Sequence, residues 1–230
     1  MLLSPNFYKS LSYYGYRRFQ KIISFSAFYT LVIILVMSVV TDAARAQATK
    51  PNIVVIMLDD ARYDMFAPNG GPSFFQTPSV NRIAEEGANF RFTGVTTSLC
   101  APSRASIYTG LYAHHHGTVD NGTSPKAGLP YISSILQDNG YKTAFLGKWL
   151  LDFHLPDDPI GFDFWGITDS IDHDSITMRF NDGSSAYYEQ NEATVFANLG
   201  INFVENDVPE GTPWALFLFY RFPHSPYEAM

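Results

Sequence analysis

The 230 residues are 46% apolar, 16% aromatic and 16% charged, enough for one core of about 100–200 residues and not for two full domains. Fifteen Lys and Arg against 22 Asp and Glu give a net charge of −7, which excludes a binder that works by neutralising nucleic-acid phosphates, and 19 Phe with 14 Tyr exclude intrinsic disorder. The single cysteine, Cys100, excludes an internal disulfide, a zinc ribbon and a Cys-X-X-Cys redox pair.

In chain order, the first predicted element is the uncharged run at 22–40, preceded by Lys9, Arg17, Arg18 and Lys21 and followed by Ala44-x-Ala46 and Ala46-x-Ala48. A basic start, an apolar run and small residues at a cleavage site predict a secretory signal peptide over residues 1–48. The run also approaches the roughly 20 residues that span a bilayer, so an uncleaved membrane anchor is the competing expectation. Under both, the basic flank stays inside and residues 49–230 are exported, to the periplasm or outside the cell. Five basic residues and one acidic residue fall in 1–48, so the exported part carries −11.

Next comes IVVIML at 53–58, a β-branched apolar run that predicts an interior strand buried on both faces. It ends at Asp59-Asp60, and a Gly/Pro-rich loop follows. Thr77-Pro78 starts a helix with Val80, Ile83 and Ala84 on its apolar stripe and Gly87 as its stop. Residues 88–96 alternate like a strand. Residues 102–109 read as a helix stopped by Gly110, with Cys100 just ahead of it. A helix at 131–139, a strand at 141–146, a long helix within 190–206 and a last buried strand at 214–220 complete the series. Residues 152–186, rich in Asp, Pro and Gly, read as an excursion above the sheet. Strands alternating with helices predict an α/β fold, with a central, mostly parallel (mixed) sheet and helices on both faces. Sites in such sheets lie at the carboxyl ends of strands, which selects Asp59-Asp60, the loop after Leu146 and the loop after Tyr220.

Adjacent carboxylates repel, and a divalent ion relieves the repulsion. Hard oxygen donors favour calcium or magnesium, although Asp59-Asp60 alone also fits a solvated turn. Cys100 precedes a helix whose N-terminal dipole favours anions, and Arg104 follows one turn later. A nucleophile so placed suits sulfate or phosphate; an inert buried thiol is the alternative. By themselves, Lys148 reads as a surface lysine beside Trp149 and His224 as an exposed histidine. His114-His115-His116 reads as a solvated loop with one ring able to turn inward. Asn121-Gly122-Thr123 is a glycosylation sequon, meaningful only in a eukaryotic secretory route.

Cys100-Ala101-Pro102-Ser103-Arg104 followed by Thr109-Gly110, GYKTAFLGKW at 140–149, the Asp59-Asp60 pair and Pro223-His224-Ser225-Pro226 occur in one order. Together they resemble the type I sulfatases of the alkaline-phosphatase-like superfamily, over about residues 50–228. The resemblance implies that a maturation enzyme, formylglycine-generating or anaerobic sulfatase-maturating, oxidises Cys100 to formylglycine. It implies calcium ahead of magnesium, held by Asp59, Asp60 and the modified residue 100. One hydroxyl of the aldehyde hydrate would attack sulfur and the other would later release sulfate. Arg104 would hold oxygens of the modified residue and the metal side, Lys148 would bind sulfate oxygens, and His224 would orient sulfate or protonate the leaving oxygen. The catalytic set is therefore Cys100, Arg104, Lys148 and His224, with Lys148 and His224 also binding substrate.

Leu150-Leu151 stands where many sulfatases have histidine after Lys-Trp. Relatives acting on glucosamine 6-sulfate share the leucine, and GLYAHHHGTVDNG is similar to that branch, so a sugar sulfate is the implied substrate. A phosphate or phosphonate ester hydrolase of the same superfamily and an inactive sulfatase-like glycan-binding fragment are the alternatives. The family places a further Asp-Asn pair and a lysine after the Pro-His element, whereas here Met230 lies six residues after His224. Residues 49–230 are thus expected to form the N-terminal part of the catalytic domain, inactive or nearly so taken alone, with Asp169, Asp172 and Asp174 placed too early to replace the pair.

Overall fold

The computed structural model describes residues 50–149, 158–168 and 174–225. The signal or anchor segment, Leu150-Leu151, Asp169 and Asp172 lie outside the described residues, among which no helix is long and apolar enough to cross a membrane.

The strands are β1 (Ile53–Met57), β2 (Lys142–Gly147), β3 (Phe164–Ile167), β4 (Ile176–Phe180), β5 (Ser185–Tyr188) and β6 (Trp214–Phe219). They form one sheet in the order β1-β6-β2-β3-β4-β5. The first four in space run parallel and the β4–β5 hairpin is antiparallel. The helices are α1 (Pro78–Glu86), α2 (Cys100–Thr109), the short α3 (Ala113–His116), α4 (Ile132–Asp138) and α5 (Glu192–Asn202), which runs into a π turn at Phe203–Asp207.

β6 carries no polar residue in WALFLF, and period-two alternation divides it between two cores. Phe217 and Phe219 join Phe145 on one face, beneath Tyr108 of α2 and Leu136 of α4. Leu216 and Leu218 join Ala144 and Leu146 on the other, against Val195, Phe196 and Phe203 of α5 and its extension. The expected mixed sheet with helices on both faces is what the chain forms.

Three expectations are corrected. In the sheet of the described residues β1 stands at the edge rather than in the interior, pairing only with β6. Ile53, Val55 and Met57 pack on the core, while Val54 and Ile56 are 49% and 56% exposed. Those two share a face with Leu216 and Leu218, but α5 lies over β2 and β6 and does not cover them. An apolar run states that both faces are apolar, not that both are covered. Residues 88–96 form no strand; the described sheet gives them no neighbour, and Phe90 and Phe92 point into solvent. The segment 152–186 is not simply an excursion, because β3, β4 and the first half of β5 lie in it and widen the sheet.

Gly147 ends β2 directly before Lys148, at φ +120°. A Cβ there would strike the Phe219 carbonyl and the Phe196 ring. Gly147→Ala should therefore cost about 2–3 kcal/mol, read as a lowered urea midpoint at unchanged slope. An unchanged midpoint would show that the β2–β6 junction can open without cost.

Candidate active site

Because β1, β6 and β2 are parallel neighbours, their carboxyl ends lie side by side. The loops leaving them carry Asp59, His224 and Lys148, and α2 brings Cys100 and Arg104 to the same place. Cys100 is the first residue of α2 rather than the residue before it. Cys100, Arg104 and Tyr108 recur at four-residue spacing, so one helix stripe serves both site and core. Tyr108 is fully buried, with its ring 4.5 Å from Trp149 and 5.6 Å from Phe219, which seats the helix. Burial pushes the Tyr108 phenol well up.

Asp59 is the hub. Lys148 Nζ donates to Asp59 Oδ2, Arg104 Nη2 lies 3.5 Å from the same oxygen, and Cys100 Sγ is 3.5 Å from Asp59 Oδ1. Lys148 Nζ is also 3.6 Å from Cys100 Sγ, and Arg104 Nη1 donates to the Lys148 carbonyl at 2.5 Å. Asp59, Arg104 and Lys148 are all buried. Burial pushes the Asp59 carboxyl up, but the Lys148 hydrogen bond and the Arg104 charge outweigh it and hold the group below the usual carboxylate range. Burial raises the Cys100 thiol, and the Asp59 carboxylate adds to the rise against Lys148 and Arg104. Unmodified Cys100 is therefore a protonated S–H at neutral pH and a weak nucleophile.

Asp60 adopts a left-handed conformation, φ +60°, so the adjacent carboxylates part: Asp59 goes inward and Asp60 stays exposed. His224 Nε2 is 3.7 Å from Asp60 Oδ2. Its Nδ1 lies 2.6 Å from the Ser225 carbonyl, which only accepts, so Nδ1 carries a proton and Nε2 is the basic nitrogen of the neutral ring. A cavity of about 430 Å³ opens here, lined by Asp60, Cys100, Ser103, Arg104, Asn121 and His224 among others. Lys148 lies behind this wall, engaged by Asp59.

Ligand atoms of Asp59, Cys100 and His224 all fall within 4.8 Å of one another. The donor chemistry fits a divalent ion: Asp59 and Asp60 offer hard carboxylate oxygens, and an oxygen at residue 100 would make a third. The sulfur itself is a soft donor suited to other metals.

The helix start offers fewer free amides than its position suggests. Ala101 N–H donates to Asn121 Oδ1 at 2.9 Å, and Pro102 has no N–H. Attraction for an anion thus rests on side-chain cations and the helix dipole. Asn121, read from the sequence only as a sequon, caps the residue beside Cys100 and lines the cavity; its signal lay in its location, which a single sequence does not disclose. Of the three histidines, His114 and His115 are exposed and His116 is buried. Thr118 N–H donates to His116 Nδ1, so Nε2–H donates to Ser106 Oγ at 3.0 Å. That polarity is opposite to a base activating a serine, and burial lowers the ring's basicity.

Comparison with known proteins gives a consistent result. The family model described as Sulfatase matches residues 51–230. An N-acetylglucosamine-6-O-sulfatase of Bacteroides thetaiotaomicron is 32% identical over 183 residues, covering 78% of this chain and 32% of that protein. An ulvan-active sulfatase of Formosa agariphila is 29% identical over 189 residues, covering 79% and 37%. A structure solved in complex with its substrate D-glucosamine-2-N,6-O-disulfate superimposes with a TM-score of 0.69 at 31% identity, covering 76% of this chain and 35% of that one. The chain spans about a third of the length of these curated relatives.

Asp59→Asn would leave Arg104 and Lys148 buried without their counter-charge, and should cost about 3–5 kcal/mol in chemical denaturation at pH 7. Because the Asp59 pKa is depressed in the folded state, its contribution is full above the unfolded carboxylate range and is lost as pH falls through the folded value. The gap between wild type and variant should therefore close in acid. A pH-independent gap would contradict the assignment.

Proposed function

The chain belongs to the sulfatase family, and from that premise we propose that its site hydrolyses an organic sulfate ester, releasing inorganic sulfate. The carrying observation is the meeting of Asp59, Cys100, Arg104, Lys148 and His224 at the carboxyl ends of three parallel strands, with Cys100 open to the cavity. The relatives' sugar substrates support a sugar sulfate as the ester.

The protonated thiol argues against Cys100 acting as a thiolate. We assign it as the position of formylglycine, which supplies when hydrated an oxygen nucleophile and a route for releasing sulfate. Calcium is the proposed ion, held by Asp59, Asp60 and residue 100, and it supplies charge for anionic oxygens when bound. Arg104 and Lys148 place fixed positive charge beside residue 100, in a site screened from water where such charge acts strongly. Asp59 holds both cations in place. His224, with Nδ1 tied to Ser225, directs Nε2 toward Asp60 and the cavity, where Nε2, having taken up a proton from solvent as the imidazolium, would orient the ester or pass that proton to the departing oxygen. Asn121 fixes the backbone that carries residue 100. Export of residues 49–230 is part of the same proposal; the terminal sequence of the mature protein checks it, and full-length chain in the cytoplasm would overturn it.

Expressed with a maturation enzyme, the peptide containing Cys100 should show the mass change from thiol to aldehyde. The matured protein should release sulfate from glucosamine 6-sulfate faster than phosphate from the matching phosphate ester, and Cys100→Ala should abolish release while the protein stays folded. Normal turnover by Cys100→Ala would sink the nucleophile assignment, and faster phosphate release would favour the phosphoester alternative. Without maturation, Cys100 should react slowly with iodoacetamide at pH 7 and faster only as pH rises beyond the ordinary thiol range.

A further inference from the structure

Glu192 lies outside every motif discussed above. It is the first residue of α5 and 1% exposed. It is not the helix cap: Asn191 takes that part by accepting the Thr194 N–H. Its Oε1 instead reaches across to the segment after β6, accepting the Arg221 N–H at 2.8 Å and the Phe222 N–H at 3.0 Å. The carbonyls of the same two residues accept in turn. The Arg221 carbonyl accepts the His224 N–H at 3.0 Å, and the Phe222 carbonyl accepts the Asp59 N–H at 3.2 Å.

We propose that Glu192 is a positioning residue for the candidate site: its buried carboxylate fixes the turn at 221–224 that carries His224, and through Phe222 it buttresses the backbone of Asp59. Two amides on one charged oxygen form charge-assisted bonds, stronger than neutral ones. The first turn of a helix is where the dipole favours negative charge. Phe196, Tyr220 and Phe222 follow in series, at 5.2 and 4.9 Å between ring centroids, so the segment that Glu192 holds is also packed through its rings. His224 hangs from this turn, so the direction of Nε2 toward Asp60 depends on it. The paired register of β1 and β6 ends at Met57 and Phe219, followed by the Tyr220 N–H bond to the Met57 carbonyl and the Asp59 N–H bond to the Phe222 carbonyl; the Glu192 carboxylate adds its two bonds to this departing segment. The inference rests on the proposed sulfatase chemistry only in giving His224 a task.

The test uses the full chain with isotope-labelled histidine and compares wild type, Glu192→Gln and Glu192→Ala. Gln keeps an acceptor oxygen at the same reach and should leave the His224 ring resonances near their wild-type positions. Ala should move them, and should speed hydrogen exchange at the Asp59 amide by roughly tenfold or more, while the buried His116 ring stays in place as a control for the fold. An unmoved His224 ring in Glu192→Ala, with His116 also unmoved, would overturn the proposal. If Glu192→Ala fails to fold, wild-type exchange decides: protected Arg221 and Phe222 amides support the clamp, and exchange at open-loop rates overturns it. None of these readouts needs turnover. A protein that shows the shifts but releases no sulfate keeps the clamp and loses the reaction.

Discussion

Two cations, Arg104 and Lys148, are withdrawn from water beside one carboxylate, Asp59, and the arrangement survives only because all three are present. Burial alone would disfavour the charged form of Asp59; the pairing with Lys148 and Arg104 reverses this. The trio comes from three distant stretches of chain, the end of β1, the middle of α2 and the end of β2, so it also staples the helix to the sheet. Its charges do not cancel. One positive charge is left over, and Arg104, which lines the cavity wall, carries it toward the space that an anionic ester would enter. Structural and chemical demands therefore fall on the same atoms, and neither cation could be exchanged for a neutral residue without disturbing both.

The sheet makes this meeting geometrically cheap. Parallel strands deliver their carboxyl ends to one side, and the register Met57↔Phe219↔Gly147 aligns the three exits to the residue. Alternation along β6 feeds two cores at once, one under α2 and one under α5, so the exits are fixed from both faces. The glycine before Lys148 lets β2 and β6 approach until no side chain fits between them.

Much of this was visible in the sequence because it is written in local patterns. The apolar runs at 141–146 and 214–220, the Gly110 stop and the placing of Arg104 one turn after Cys100 are statements about neighbours along the chain. The candidate site was legible for a different reason: each of its residues sits within a motif or at a strand end. What escaped was decided across space. Val54 and Ile56 are as apolar as Val55, but Val55 faces the core that holds Tyr108 whereas α5 stops short of the other two. The alternation at 88–96 is real, but a strand needs a partner edge. Ile176, Met178 and Phe180 did carry a strand period, masked by the Asp- and Gly-rich stretches around them. Asn121, whose sequon says nothing of this role, and Glu192, which lies in no motif, each matter through backbone amides far away in sequence.

The reversal of backbone hand at Asp60 has a consequence for how the site responds to its surroundings. It sends neighbouring carboxylates into two dielectric worlds. Asp59 meets its partners while buried at the wall of the cavity, where dissolved salt has less access than at the open surface. Asp60 meets His224 across 3.7 Å at the surface, within the reach of mobile ions whose screening length is about 8 Å at physiological strength. Once the His224 ring takes up a proton, brine should thus loosen the outer pair while leaving the inner trio intact, so a rise in ionic strength acts on the imidazolium and spares the scaffold that presents it.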